Sequence, residues 1–201
     1  MPPISRGFRG RPRADDDAHR VPPGQYTVSD FPVLSAGPTP RVPTDTWQFT
    51  IEGAVAEPVR WDWAEFLALP AETITVDIHC VTKWSKLGTS WTGVSLDTLL
   101  AAVSTDAAFV TAFSYGGYTT NLPLSDLRGG RAWIAHAFEG APLDPEHGGP
   151  ARLLVPHLYL WKSAKWVRGL RLTGADEPGF WEAAGYHNRG DPWQQQRYWN
   201  D

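Results

Sequence analysis

Alternating apolar and polar residues define the clearest predicted element, a strand that leads into residue 80. Ile74, Val76 and Ile78 alternate with polar residues, and a period of two indicates a strand with one buried face. The same alternation places Cys80, the one cysteine of the sequence, on the face of Ile78 at the end of this strand. We therefore expect its thiol to point inward, where the strand enters a polar loop.

Similar patterns predict the remaining elements and the fold class. Short amphipathic helices are predicted at residues 61–69, with Asp62 as N-cap, and at 95–103, with Ser95 as N-cap. Strand-forming runs occur at 47–51, 108–115, 132–138, 151–156 and 165–173. Because strands and helices do not alternate strictly, the pattern favours a single α+β domain over a doubly wound sheet.

Both ends of the sequence depart from this pattern. Residues 1–25 are rich in Arg, Pro, Gly and Asp with few large apolar side chains, so they are predicted to form a mobile arm ahead of a domain at 26–201. Residues 30–43 hold four prolines and are predicted to lie extended across the body. The 28 residues from Gly174 are predicted to wrap over it as an ordered loop.

Composition and charge narrow the class of protein. The formal net charge of −4 and the lack of a long basic run give no reason to expect a nucleic-acid partner. No apolar run approaches the roughly 18 residues that span a bilayer, and no apolar segment follows the basic N-terminus. We therefore expect a cytoplasmic protein without membrane insertion. A single cysteine also excludes an internal disulfide and a CxxC zinc site.

The cations are distributed unevenly. All four lysines lie in two segments, as Lys83 and Lys86 after the cysteine and as Lys162 and Lys165 further on, and Arg152 follows the Gly148–Gly149 turn. Such clustering in an acidic chain predicts a bound anion, such as a phosphate-bearing cofactor. A network of salt bridges is the alternative interpretation.

The thiol itself has two interpretations. A lone free cysteine is most often a small buried apolar residue without chemistry. His79, Lys83 and Lys86 are neighbours that can favour a reactive thiolate. The alternation points His79 away from Cys80, which favours a structural role for this histidine.

Four segments resemble the sulfite oxidase family of molybdopterin-dependent oxidoreductases. They are IHCVTKWSKLGTSWTGVSLDTLL, HGGPARLLVP, LYLWKSAKWVRGLRLT and GFWEAAGYHNRGDPWQQQRYW, and they follow each other in the family's order. The resemblance runs from about residue 30 to the end and is closest to short bacterial members that consist of the catalytic domain alone. It implies the family's mixed-sheet molybdopterin-binding fold.

The resemblance also implies a cofactor, Mo-molybdopterin, and residues that hold it. The family's cysteine ligand to molybdenum corresponds to Cys80, and soft sulfur suits such a metal. The family's cofactor contacts correspond to Ser114, His147, Arg152, Ser163, Ala164 and Lys165, and more loosely to Leu34 and Ser35.

The activity implied is oxygen-atom transfer on a small sulfur or nitrogen oxo compound, such as sulfite or a sulfoxide. Sulfite oxidases proper place arginines shortly after the ligand cysteine, but here the run CVTKWSK has Lys83 and no arginine. It resembles more the catalytic subunit of the periplasmic methionine sulfoxide reductase branch. Tyr118 and Thr120, just past a glycine turn, are candidates for the substrate mouth.

The chain has no room for the haem and dimerisation domains of animal sulfite oxidases. We therefore expect a separate electron-transfer protein and a monomer. Two alternatives remain open at this point. One is a non-catalytic molybdopterin-binding module that interacts with a redox partner, and the other is a thiol enzyme with Cys80 as nucleophile.

Overall fold

Strands in two sheets frame the structure, a computed structural model that describes residues 15–201. In chain order they are β1 (Tyr26–Thr27), β2 (Gln48–Gly53), β3 (Val59–Asp62), β4 (Ala71–His79), β5 (Trp84–Ser95), β6 (Phe109–Ser114), β7 (Thr119–Pro123), β8 (Trp133–Phe138), β9 (Ala141–Pro142), β10 (Arg152–Leu154) and β11 (Val167–Thr173).

Both sheets are mixed. The first has the order β1-β5-β8-β10, with β4 paired to β5 and β9 to β8, and the second has the order β3-β2-β11-β6-β7. The β1/β5 and β2/β11 pairs are parallel, and the other described pairs are antiparallel. This arrangement confirms the predicted mixed-sheet α+β fold in a single domain.

The helices are short, and the first two begin where the sequence predicts, whereas the third lies in the C-terminal segment that is predicted to be a loop. Helix α1 (Trp63–Leu67) starts at Asp62, whose side chain accepts a hydrogen bond from the backbone of Glu65 in a capping box. Helix α2 (Leu96–Leu100) starts at Ser95, and α3 (Phe180–Ala183) lies near the C-terminus. Short 3-10 helices occupy Asp15–Arg20, Leu124–Leu127, Pro145–His147 and Leu160–Lys162.

Strand β5 is the main element that the hydrophobic pattern does not reveal. Its sequence does not alternate cleanly, and the residues after Cys80 are predicted to be a loop, yet they form a strand of 12 residues. The strand has neighbours on both edges, and its pairing shifts register opposite Val76–Ile78 and again at Thr92–Gly93. Each shift interrupts the period of two, because a bulge turns the following side chains to the other face.

Two apolar clusters fill the interior. The larger contains Trp47, Phe49, Leu99, Leu122 and Leu170, all fully buried, and each such side chain stabilises the fold by about 1.5–3 kcal/mol. The smaller surrounds the cysteine and consists of Ile78, Cys80, Trp84, Trp91, Trp133, Ala135, Leu143 and Leu154. The thiol is therefore set in an aromatic environment.

The predicted N-terminal arm, residues 1–25, falls only in part within the described residues. Residues 1–14 lie outside the described part of the chain, and residues 15–25 contact the body. Arg20 donates to the Asp77 carboxylate over 2.9 Å, and the ion pair holds this segment against β4. Residues 30–43 contain neither helix nor strand, as predicted. Within residues 15–201, no helix combines the length and apolar content needed to cross a membrane.

Candidate active site

Cys80 lies in the tight turn that joins β4 to β5. Its backbone N–H donates to Trp84 O over 2.9 Å, and Lys83 N–H donates back to Cys80 O over 3.0 Å. Lys83 closes the turn in a left-handed conformation with φ of 76°. The cysteine side of the turn faces the interior, where Cys80 is 7% exposed. The inward thiol that the alternation predicts is thus present at the strand end.

Two polar side chains contact this cysteine. The Thr82 hydroxyl donates to its Sγ over 3.1 Å, and Gln25 Nε2 donates to its carbonyl oxygen over 3.0 Å. Burial raises the pKa of the Cys80 thiol, while the Thr82 hydrogen bond and the charge of Lys165 oppose that rise. The protein alone therefore keeps the thiol protonated near neutral pH, and a bound metal would be needed to deprotonate it.

The thiol opens into a cavity of about 540 Å³. Eight of the eleven candidate cofactor and substrate residues line this cavity: Leu34, Ser35, Cys80, Tyr118, Arg152, Ser163, Ala164 and Lys165. Thr120, the other candidate for the substrate mouth, is buried outside the lining. They come from the 30–43 arm, the β4–β5 turn, the segment after β6, β10 and the segment between the Leu160–Lys162 helix and β11. Segments far apart in sequence thus converge on the cysteine.

Ser114 and His147 do not line the cavity and lie behind its wall. Ser114 ends β6, and its buried hydroxyl has no hydrogen-bond partner among the described residues. The His147 ring stacks on Phe31, a lining residue, with 3.9 Å between centroids. Its Nδ1 is likewise buried without a partner within residues 15–201. Both residues therefore hold buried polar atoms without partners among the described residues while contacting residues that line the cavity, Tyr118 and Phe31.

Two cations face the cavity without acidic partners. Arg152, 2% exposed, donates to His147 O over 2.9 Å and to Ser163 O over 2.8 Å. Lys165 Nζ donates to Leu34 O over 2.8 Å and to Glu146 O over 2.6 Å. Neither forms an ion pair with a carboxylate of the described residues. Burying charge without a counter-charge is costly, so this arrangement favours an anionic ligand.

The pKa values of Arg152 and Lys165 are lowered because no carboxylate of the described residues pairs with them to offset their burial. Burial lowers the pKa of Arg152 to about 10. Burial and the nearby Arg152 charge together lower the pKa of Lys165 to about 8. An anion bound between them would restore both values, since it stabilises the charged forms.

Lys162 behaves differently from Lys165, although both belong to the predicted lysine cluster. Its ammonium group pairs with Glu182 over 2.6 Å, and both side chains are fully buried. For this lysine the salt-bridge alternative holds. The remaining two lysines do not line the cavity, and Lys86 donates to Ser29 O over 2.6 Å.

The sequence prediction misses most of the aromatic wall. Phe180, Trp181 and Tyr186 reach the cavity from the C-terminal segment, and Trp161 reaches it from the 3-10 helix. The segment GFWEAAGY has no regular period that assigns it to an element. Its many aromatic residues could have indicated this contact, because large rings in a polar segment normally pack against another part of the protein.

Comparison with known proteins identifies the family of this chain. The chain matches the family model described as "Oxidoreductase molybdopterin binding domain" over residues 36–181. It is 44% identical over 194 residues to "Uncharacterized oxidoreductase YuiH" of Bacillus subtilis (strain 168), a match that covers 95% of this chain and 98% of the relative.

Two more distant proteins are longer than this chain. It is 28% identical over 149 residues to "Putative protein-methionine-sulfoxide reductase subunit YedZ1" of Azospira oryzae, covering 73% of this chain and 56% of that protein. The crystal structure of the sulfane dehydrogenase SoxCD from Paracoccus pantotrophus aligns with a TM-score of 0.62 at 18% identity. That alignment covers 87% of this chain and 57% of the solved chain, and at this identity it shows the fold alone.

The family match spans most of the chain, and the high identity to a relative of nearly equal length supports it independently. Both confirm the resemblance seen in the four sequence segments. The chain is an oxidoreductase that belongs to the family of sulfite oxidase-type molybdopterin-binding domains.

Proposed function

We propose that this oxidoreductase transfers an oxygen atom to or from a small sulfur or nitrogen oxo compound, with Cys80 as the thiolate ligand of a Mo-molybdopterin cofactor. One observation carries the proposal. The lone thiol opens into the same cavity as Arg152 and Lys165, two cations that lack acidic partners among the described residues. A thiol and a pair of uncompensated cations together suit a ligand that is both a metal complex and an anion.

The residues present fit that cofactor. The cations offer a guanidinium fork and an ammonium group to a phosphate. Gly148, with φ of 107°, sits so close to Lys165 that an added Cβ would lie 3.0 Å from its Cα. The glycine therefore brings the turn after His147 directly against both cations. Ser114 and His147 each hold a buried polar atom without a partner among the described residues, although neither residue lines the cavity.

Each residue then has a role in holding the group. Arg152 and Lys165 would bind its phosphate, with the backbone of Ser163 and Ala164 close by, because their small side chains leave the backbone accessible. Leu34 and Ser35, from the 30–43 arm, would cover it, and the Leu34 carbonyl already accepts a hydrogen bond from Lys165. Ser114 and His147 would stabilise the wall from behind. When bound, the molybdenum cofactor supplies two-electron oxygen-atom transfer chemistry.

Tyr118 is proposed to orient the substrate. Its hydroxyl lines the cavity and donates to Trp161 O over 2.5 Å. Burial, with the charge of Glu182, raises the pKa of Tyr118 well above its ordinary value. The hydroxyl therefore stays neutral near neutral pH and cannot act as a base. Because its one proton is donated to Trp161 O, it would donate to a substrate oxygen only by exchanging that bond.

The character of the cavity favours an uncharged substrate. The cofactor phosphate would occupy the two cations, and the rest of the lining is largely aromatic and proline. An apolar wall excludes water and binds the carbon groups of a sulfoxide, whereas it leaves a sulfite dianion without a counter-charge. Among sulfur oxo compounds, a sulfoxide thus fits better than sulfite.

A separate protein is proposed to exchange electrons with the site. The distant relative from Azospira oryzae is described as a reductase subunit, and the described residues contain no cluster of side chains suited to a second metal. A partner subunit or soluble carrier would supply or accept electrons one at a time.

Metal analysis and spectroscopy test the proposal. Protein purified from a host that makes the cofactor should contain molybdenum, and partial reduction should give a Mo(V) electron paramagnetic resonance signal. Cys80→Ser should abolish turnover of sulfoxides with a dye donor while circular dichroism stays unchanged. Full activity in that variant would refute the ligand role. Loaded protein without a reducible signal would instead indicate a non-catalytic molybdopterin-binding module.

A further inference from the structure

A single buried carboxylate joins the two halves of the aromatic cavity wall. Glu182 lies in α3 of the C-terminal segment, and its Oε1 accepts three hydrogen bonds from the body of the domain. The donors are Thr120 Oγ1 at 2.8 Å, Trp161 Nε1 at 2.9 Å and Lys162 Nζ at 2.6 Å. Because the Glu182 and Lys162 side chains are fully buried, water cannot replace any of these bonds.

The groups on both sides of this carboxylate face the cavity. Trp161 lines it from the body, while Phe180 and Trp181, immediately before Glu182, line it from the C-terminal segment. The Tyr186 ring joins the two sides, with its centroid 5.0 Å from Trp161 and 5.0 Å from Trp181. One oxygen atom thus links the Trp161 indole to the helix that carries Phe180 and Trp181.

The Trp161 indole has little freedom once these contacts form. A Cβ on Gly190 would lie 2.6 Å from the ring, so the glycine backbone packs directly against it. Tyr159 stacks on it with 5.3 Å between centroids. The hydrogen bond from Nε1 to Glu182 fixes the remaining rotation, because the indole N–H is a single directional donor.

We propose that Glu182 is a positioning residue that sets the shape of the aromatic wall and thereby makes this cavity selective for aryl over small alkyl sulfur compounds. The inference rests on the proposed function only for the substrate class, since selectivity itself can be measured by binding. Well-placed apolar walls discriminate between ligands by about 10–200-fold. A displaced indole and α3 would remove that discrimination, whereas Cys80, Arg152 and Lys165 make none of the hydrogen bonds to the Glu182 carboxylate.

Two double variants, both without the buried charges of Lys162 and Glu182, separate the effect of the hydrogen bond to Trp161 from the effect of the charges. Lys162→Met with Glu182→Gln keeps an acceptor for Trp161 Nε1, whereas Lys162→Met with Glu182→Leu removes it. Neither leaves a buried charge unpaired, and apolar replacement of a buried ion pair is often tolerated. Both variants should therefore fold and load molybdenum. Asp126→Asn is the matched control, because Asp126 also ties the C-terminal segment to the body through Arg189 but lies outside the cavity lining.

The measurement is the dissociation constant of the loaded protein for methyl phenyl sulfone and for dimethyl sulfone, which resemble sulfoxides but do not donate oxygen. Wild type, the Gln double variant and Asp126→Asn should prefer the aryl sulfone by the same factor. In the Leu double variant the preference should shrink about tenfold or more. Amide hydrogen exchange of residues 174–201 should be faster only in the Leu variant.

The outcomes are distinguishable from those of the proposed function. Equal affinity of the wild type for the two sulfones, or an unchanged preference in the Leu variant, would overturn the inference even if sulfoxides are turned over. An equal loss in Asp126→Asn would also overturn it, since that result indicates general loosening. A preference for the aryl sulfone that depends on Glu182, in a protein that reduces no sulfoxide, would support the inference and remove the proposed substrate.

Discussion

The Thr82 hydroxyl donates a hydrogen bond to the Sγ of Cys80 over 3.1 Å, although the sulfur lies in an otherwise apolar cluster. Burial raises the pKa of this thiol, and the Thr82 bond acts in the opposite direction. A hydrogen bond to a charged sulfur is stronger than one to a neutral thiol. Thr82 therefore favours the thiolate that a metal requires.

Removing this hydroxyl should weaken cofactor retention. Groups that hydrogen-bond a metal ligand typically contribute about 10–100-fold in metal affinity, so we expect Thr82→Val to lose molybdenum during dialysis at least tenfold more readily than wild type. Thr82→Ser, which keeps the donor, is the control. Metal content per chain by mass spectrometry gives the result, and equal retention in the Val variant would contradict the role.

Lys165 should make the stability of the cofactor-free protein depend on pH. Its pKa is about 8 in the fold, against an ordinary value of 10.5. Between these two values the unfolded chain binds more protons than the folded one, so stability rises with pH through this window. Below about pH 8 the protein carries the full cost of the uncompensated charge.

The comparison with Lys165→Met isolates this effect. Relative to that variant, cofactor-free wild type should gain on the order of 1 kcal/mol between pH 8 and 10.5. For a domain of this size that corresponds to about 2–4 °C in the melting temperature. A difference that stays constant with pH would mean that Lys165 is not perturbed. The same variant should retain less molybdenum, because it lacks one phosphate contact.

The parts of the site that local pattern encodes could be predicted from the sequence. The alternation through Ile78 gives the inward direction of Cys80, and side-chain caps at Asp62 and Ser95 mark where α1 and α2 begin. The resemblance then supplied the distant segments that meet at the cavity. It also predicted what periodicity left open, namely that the chain is a molybdopterin-binding oxidoreductase, and the family match confirms this.

Long-range contacts explain what could not be predicted. Strand β5 is stabilised by neighbours on both edges, so its side chains need not alternate, and its bulges hide the remaining period. The C-terminal wall depends on a buried pair, Lys162 and Glu182, that lies 20 positions apart along the chain. Lys162 stands out in the sequence only as one of the clustered lysines, and nothing there marks Glu182 as its buried partner, since an isolated lysine or glutamate is normally exposed.

Tyr118→Phe should lower turnover of sulfoxides without changing its pH dependence. Loss of one neutral hydrogen bond is worth up to about 1.5 kcal/mol, or roughly tenfold in kcat/KM. Because burial keeps the Tyr118 hydroxyl neutral, the ratio of wild type to variant should stay constant from acidic to weakly alkaline pH. A ratio that changes steeply within this range would indicate that the hydroxyl exchanges a proton during turnover.

Gly148→Ala tests how closely the turn after His147 must approach the two cations. An alanine at this position has two energetic costs. Its backbone would be left-handed with φ of 107°, and its Cβ would lie 3.0 Å from Lys165 Cα. Gly140→Ala is the matched control, because Gly140 has φ of 78° but open space around it. The control should cost about 1–2 kcal/mol from backbone strain alone.

Gly148→Ala should cost about 1–3 kcal/mol more than this control, because the backbone of Lys165 must move to admit the methyl group. That movement displaces the ammonium group and Arg152 together, so molybdenum retention should fall in Gly148→Ala and remain complete in Gly140→Ala. Urea unfolding of both cofactor-free variants separates the two costs. Equal destabilisation with equal metal content would show that the close approach at Gly148 is unimportant for the cofactor, and that only its backbone conformation matters.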